Sequence, residues 1–351
     1  NDAATPQASA PSGSTAPSGT LGTKENPLKV SFVSFHGYAP AILANGGSLT
    51  TQPGSIFEKE GLYVEFIIQD NIPTLAENFG TGTAQCSWRT IDFWAQEHTG
   101  LRGSGYDGKM VMLVDNTRGG DGMIARGDIG SIEDVAGHKV ALLQYTPSDW
   151  LLRYAIDQSS LSGKKRGSID YVYVNAEEGT AGVRATFTSK RADAAVLWEP
   201  DLSLALKENP DAKVIYSTAL ATNLIYDGMV CDSKVIASNH DAIQKFVDGW
   251  MAGVDLANSD KTKATKALVA TEPFFKDLAK DQGEDFITSL YNGIVWTGLS
   301  ENIRVLGMAG DTNNFERIYA TADSVWREAG AIANPNAPRI NPSDAFDYSF
   351  I

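Results

Sequence analysis

Clusters of hydroxyl, aromatic and acidic residues follow the strand-like runs of this chain: Ser34-Phe35-His36-Gly37-Tyr38, Trp88-Arg89-Thr90, Asp115 to Asp121, Gln144-Tyr145-Thr146-Pro147-Ser148, Trp198-Glu199 and Tyr226-Asp227. Aromatic rings at such positions offer a π face and a polar handle, suited to clamping a planar or cationic solute. Phe35 and Trp198 would serve equally as core packing beneath the loops. His36 could donate to an anion or accept from an amine, or be structural. Arg89 could pair an oxyanion through two parallel hydrogen bonds or lie on a solvated face. Thr146 and Ser148, at a predicted helix N-terminus, could bind an anion or simply cap the helix. Glu199 and Asp227 are the more informative. A carboxylate beside aromatics is costly to bury unpaired, so a ligand amine or a neighbouring arginine should satisfy it. Asp121 stands between glycines and could equally shape a turn. Counting Asp115, Asp121, Glu199 and Asp227 against His36, Arg89 and Arg118 favours an amine-bearing or nitrogen-heterocyclic solute over a bare oxyanion.

Other chemistries lack their signatures. The sequence contains no G-x-S-x-G elbow, no phosphate loop, no H-E-x-x-H and no C-x-x-C. Thr117-Arg-Gly-Gly-Asp-Gly122 lies between two strand-like runs, which is the wrong context for a dinucleotide fingerprint. With His36, His98, His138 and His240 dispersed and only Cys86 and Cys231 as thiols, no metal-ligand spacing is present, and neither a metal nor a cofactor is expected. The 351 residues carry 29 Lys+Arg against 43 Asp+Glu, a formal charge of −14, which argues against nucleic acid as a partner. Hydrophobic residues at 42 % suffice for a packed core of one large or two medium domains. The longest apolar runs, such as Ala192 to Trp198, are strand-sized, too short to span a membrane.

Strands alternating with helices position these clusters. Predicted strands cover Leu28 to Ser34, Leu62 to Ile68, Ala84 to Trp88, Met110 to Val114 and Gly122 to Arg126. A second series covers Lys139 to Leu143, Ile169 to Val174 and Ala192 to Leu197, with a return strand from Asn223 to Cys231. Predicted helices intervene at Ala39 to Ala44, Ile72 to Phe79, Ile91 to His98, Ser148 to Gln158 and Gly179 to Ser189. This grammar implies an α/β chain with two sheets. Beyond the return strand the pattern is helical as far as Ala329, and the proline-containing tail 335–351 is expected to be extended and to wrap the body. The start of the chain, almost wholly Ala, Ser, Thr, Pro and Gly to about Gly22, reads as a flexible leader or tether within residues 1–26. The start at Asn1 would suit a mature form whose export signal has been removed.

Several blocks carry a resemblance. Gly54-Ser-Ile-Phe-Glu-Lys-Glu-Gly-Leu-Tyr-Val-Glu65 is similar to a stretch of periplasmic solute-binding proteins of the nitrate, sulfonate, taurine and thiamine-pyrimidine type. Val114 to Gly122, Ile132 to Ala141, Arg191 to Pro200 and Ile318 to Trp326 resemble the same superfamily in the same order. The resemblance implies a two-lobed fold of the type II periplasmic-binding class, each lobe a mostly parallel sheet flanked by helices, with two crossover strands as a hinge. Lobe I would comprise 27–118 and 224–334, and lobe II 119–223. It implies a non-catalytic protein that delivers a small molecule to an ABC-type permease, periplasmic or otherwise extracytoplasmic, with a lipid anchor preceding Asn1 as an open option. Rivals are a ligand-binding sensor or adaptor domain, and a thiamine-pyrimidine-synthase-like enzyme, although the cysteine-rich motif of the latter is absent.

In open α/β sheets ligands sit beyond the carboxyl ends of the strands, which nominates Ser34, Phe35, His36, Tyr38, Trp88, Arg89, Thr90, Asp115, Asp121, Tyr145, Thr146, Trp198, Glu199, Tyr226 and Asp227. Two departures from the superfamily pattern are expected to touch ligand-facing parts: an insertion at Gly46 to Pro53, and Gln85-Cys86 in place of an acidic residue. The strand order the superfamily shares would set Trp88 and Tyr226 together at the pocket end. Cys231 would then lie several residues of rise from Cys86, and both thiols are expected to be free and buried.

Overall fold

The structure, a computed structural model, describes residues 19–332 and 334–351. Most of the expected leader lies outside them. Its described end is packed: Leu21 is buried and donates its N–H to Asn239 Oδ1 at 3.2 Å, and Tyr63 N–H donates to the Gly22 carbonyl at 2.8 Å.

The strands, in chain order, are β1 (Leu28–Phe32), β2 (Val64–Ile68), β3 (Cys86–Thr90), β4 (Gly108–Thr117), β5 (Asp121–Ala125), β6 (Lys139–Leu143), β7 (Asp170–Val174), β8 (Ala194–Trp198), β9 (Lys213–Ser217), β10 (Tyr226–Asp232) and β11 (Ile294–Trp296). They form a six-stranded sheet ordered β11-β4-β10-β3-β1-β2 and a five-stranded sheet ordered β7-β6-β8-β5-β9. In the first, β1 runs parallel to β2 and β3, while β10 is antiparallel to β3 and β4. In the second, β6 is parallel to β7 and β8, and β5 is antiparallel to β8 and β9. Helices occupy the crossovers because a parallel neighbour can be reached only by a long return.

The chain passes between the sheets twice, from β4 to β5 and from β9 to β10. Thr218 ties the passages together: its hydroxyl accepts from Gly119 N–H at 2.8 Å and its own N–H donates to the Asp121 carbonyl at 3.0 Å. A Cβ on Gly120 would stand 2.9 Å from the Gly293 carbonyl oxygen, so only glycine permits this close approach.

The elements not expected from the sequence include β9, the helix Asp201–Glu208 that precedes it, and β11. Strand β9 is half-exposed at a sheet edge and β11 has three residues, so neither carries a strong apolar alternation. The tail behaves as a wrap. Met110 N–H donates to the Ala345 carbonyl at 2.9 Å, Asp347 N–H donates to the Met110 carbonyl at 2.8 Å, and Phe346 and Phe350 are buried.

Two expectations are corrected here. Cys86 and Cys231 form a disulfide. The β3–β10 register sets Cys231 opposite Cys86 and Met229 opposite Trp88, three residues away from a pairing of Trp88 with Tyr226. A three-residue slip is about 10 Å of strand, which separates bonding from non-bonding thiols. The insertion at Gly46 to Pro53 lies along β2 and is not part of the cleft lining. Phe66 N–H donates to the Leu49 carbonyl at 2.7 Å and Thr51 N–H to the Val64 carbonyl at 3.2 Å, covering the free edge of the sheet. Gln85 sits just before β3, at the end of that strand away from the cleft, where its Oε1 accepts from Lys29 N–H at 2.9 Å.

Candidate functional site

The carboxyl ends of β1 and β3 face those of β6 and β8 across a cleft between the sheets. Its inner compartment, beside the crossings, is lined by Phe35, Tyr38, Trp88, Asp121, Trp198 and Asp227, with Val33, Thr90, Thr117, Pro147 and Ile225 completing the wall. About 20 Å³ is free there, room for one water molecule. Val33 and Trp198 also border an outer compartment of about 210 Å³, lined by Ser34, Asp70, Ile72, Gly179, Thr180, Pro200 and Phe274 among others.

Strand alternation decides which expected residues reach the cleft. Trp88 and Thr90 share one face of β3. Arg89, between them, turns to the opposite face, where it is fully buried, pairs with Glu97, donates to Ser87 Oγ at 3.0 Å and lies over the Phe93 ring. It is therefore not an anion site. On β10 the same rule turns Asp227 inward and Tyr226 outward, whose hydroxyl donates to Asn223 Oδ1 at 2.8 Å.

Other expected residues are also placed elsewhere. His36 is fully buried between Phe35 and Tyr291, and burial pushes its imidazole down to about 3, leaving it neutral. Tyr145 packs on Trp326, its ring centroid 6.1 Å away. The Thr146 hydroxyl donates to the Leu143 carbonyl at 2.9 Å. Glu199 accepts from Ser203 N–H at 3.0 Å and from Ser203 Oγ at 2.7 Å, bracing the first turn of Asp201–Glu208. Ser34 does line the cleft, in the outer compartment, with its hydroxyl donated to Asp70 Oδ2 at 2.9 Å.

The residues that do converge are aromatic and acidic. Trp88 Nε1–H donates to Asp227 Oδ1 at 2.6 Å. Asp115 stands opposite Asp227 in the β4–β10 register and is wholly buried behind it. A Cβ on Gly37 would stand 2.3 Å from Asp115 Oδ2, so the carboxylate rests against a bare backbone. Burial pushes Asp121 up to about 8, against the pull of Thr117. Burial and the Asp227 carboxyl hold Asp115 far above the usual carboxylate range, and Asp227 is raised by burial despite its bond from Trp88. Asp92, at the start of the helix Ile91–Gly103, is a fourth such acid, pushed by burial to about 7. Among the described residues, no lysine, arginine or histidine acts appreciably on any of the four. Among the described residues, no group of three or more His, Cys, Asp or Glu is arranged to hold a metal ion.

The outer wall was largely missed. Asp70 and Ile72 follow β2, and Gly179 to Ala181 follow β7, so the strand-end rule would have nominated them had it been applied to those two strands. Phe274 comes from a helix far along the chain and carries no sequence signal.

No family model matches the chain. A Brucella abortus protein named "putative binding protein" is 26 % identical over 205 residues, 55 % of this chain, and chains of the same description occur in Brucella suis and Brucella melitensis. The match spans 56 % of the length of these relatives. The structure is similar to that of the periplasmic aliphatic sulphonate binding protein SsuA from Escherichia coli, with a TM-score of 0.68 at 15 % identity, covering 92 % of both chains. The chain has the periplasmic-binding-protein fold. The ligand-binding component of an ABC-type import system from Staphylococcus aureus shares this fold at a TM-score of 0.67 and 14 % identity over 95 % of this chain and 98 % of that one. The desulfurization enzyme DSZB shares it at 0.58 and 13 %, over 92 % and 97 %. The periplasmic-binding fold thus accommodates binding and catalysis, and the cleft must distinguish them.

Proposed function

We propose that the protein is the solute-capturing component of an ABC-type importer, closing two lobes, 27–118 with 224–334 and 119–223, over a small amine-bearing or nitrogen-heterocyclic solute and passing it unaltered to a membrane permease. The observation that carries this reading is the set of buried carboxylates, Asp115, Asp121 and Asp227, behind the aromatic wall of Phe35, Tyr38, Trp88 and Trp198, without a neighbouring cation. A cation entering such a site displaces the protons these acids hold and supplies the counter-charge that the surroundings lack.

Closure has a mechanical basis in the paired crossings at Arg118–Gly120 and 218–225, the short segments about which the lobes would turn. The Cys86–Cys231 disulfide supports an extracytoplasmic, oxidising location. A binding role is favoured over catalysis because the hydroxyl and the imidazole that follow β1 are already committed. Ser34 donates to Asp70, and His36 is held neutral in the core.

The test is a thermal-shift screen of ligand-stripped protein against amines, heterocyclic nitrogen compounds, sulfonates and nitrate, with mass spectrometry of the recovered ligand. At about 1,000 times the dissociation constant a ligand adds roughly 4 kcal/mol, a rise on the order of 10 °C. An amine recovered unchanged is the expected result. Stabilisation by sulfonates alone, or chemical conversion of the ligand, would sink the proposal.

A further inference from the structure

The geometry points to a cationic head bearing at least two N–H donors: the inner compartment takes a primary ammonium or an amidinium-type group and rejects a quaternary ammonium. This rests on the cation reading above and narrows it.

Rings alone would not distinguish the two heads, since aromatic walls bind methylated ammonium groups well. The polar atoms behind the rings do. Both carboxylate oxygens of Asp115 are buried and receive no donor among the described residues outside the Asp227 carboxyl. Tyr38 lines the compartment, and its hydroxyl is wholly buried with no partner among the described residues. Asp227 has one oxygen occupied by Trp88. Asp115 and Asp227 lie within hydrogen-bonding reach of each other, which a proton held between them satisfies.

A cation entering here takes that proton's place, and the proton leaves to solvent. An N–H-bearing head then donates to the oxygens the proton served. A quaternary head neutralises the charge but gives them no donor, leaving buried acceptors unsatisfied. Space points the same way. Gly37 packs so closely on Asp115 that an added Cβ would overlap it, and the compartment has free room for one water. A compact NH₃⁺ or the edge of a planar amidinium fits such a space better than a shell of methyl groups.

The test uses the full chain at pH 7.5 with four probes at matched ionic strength: methylammonium, acetamidinium, tetramethylammonium and methanesulfonate, read by thermal shift and calorimetric titration. Methylammonium or acetamidinium is expected to bind at least tenfold more tightly than tetramethylammonium. Asp115→Asn is expected to shrink that ratio below threefold, with Asp227→Asn as the second variant should circular dichroism show the first to be unfolded. Tetramethylammonium binding as tightly as methylammonium would overturn this inference and leave the cation reading standing. Binding of methanesulfonate alone, or silence from every cation, would overturn both.

Discussion

Trp88 Nε1 donates to Asp227 Oδ1 at 2.6 Å, joining a strand laid down before the chain enters the second lobe to one laid down after it returns. The bond fixes the indole against the inner compartment and holds one carboxylate oxygen in place. Asp227→Asn is expected to weaken binding of an amine ligand at least tenfold. Trp88→Phe keeps the ring but removes the donor, so it should raise the pH at which Asp227 ionises and weaken binding most near pH 6 to 7. Calorimetric titration across pH measures both; unchanged affinity in Asp227→Asn would remove the acid-pairing idea.

Ligand-free stability should fall as pH rises from about 6.5 to 8. Asp92 and Asp121 hold protons in the folded state to about 7 and about 8, well above the 3.8 of an ordinary Asp, so here the native chain binds more protons than the unfolded one. Stability then declines with rising pH, because the unfolded state gains from releasing those protons. His36 acts oppositely, but only between about 3 and 6.5, below this window. Asp121→Asn should flatten the slope, and differential scanning calorimetry would show it. A Tm rising through the window would contradict these protonation states.

Reducing the Cys86–Cys231 disulfide should destabilise the protein by about 4–5 kcal/mol, since it closes a separation of 145 residues. Guanidinium unfolding with and without reductant measures the difference. Labelling of denatured protein by a thiol reagent should occur only after reduction.

Gly37→Ala should damage binding more than folding. Its Cβ would meet Asp115 Oδ2 at 2.3 Å and the Phe35 ring at 2.6 Å, displacing the carboxylate behind the inner compartment and the ring that lines it. A loss of ligand affinity of tenfold or more is expected, with the far-UV spectrum unchanged. Wild-type affinity would mean that neither residue is held where binding needs it.

The residues themselves determined that this chain is α/β with two sheets and where most strands lie, because apolar alternation and turn residues act over a few neighbours. They also determined that aromatics and acids gather after the strands. Which of those side chains meet was decided by tertiary structure. Arg89 and Trp88 are adjacent in sequence, yet a period of two sends one into the core and the other to the cleft. His36 and Glu199 follow strands like the true lining residues, and only packing shows that one is sealed in and the other spent on a helix turn. The disulfide depended on the register of two strands separated by a whole lobe. No local pattern encodes that register, because it is set by the packing of both strand faces together.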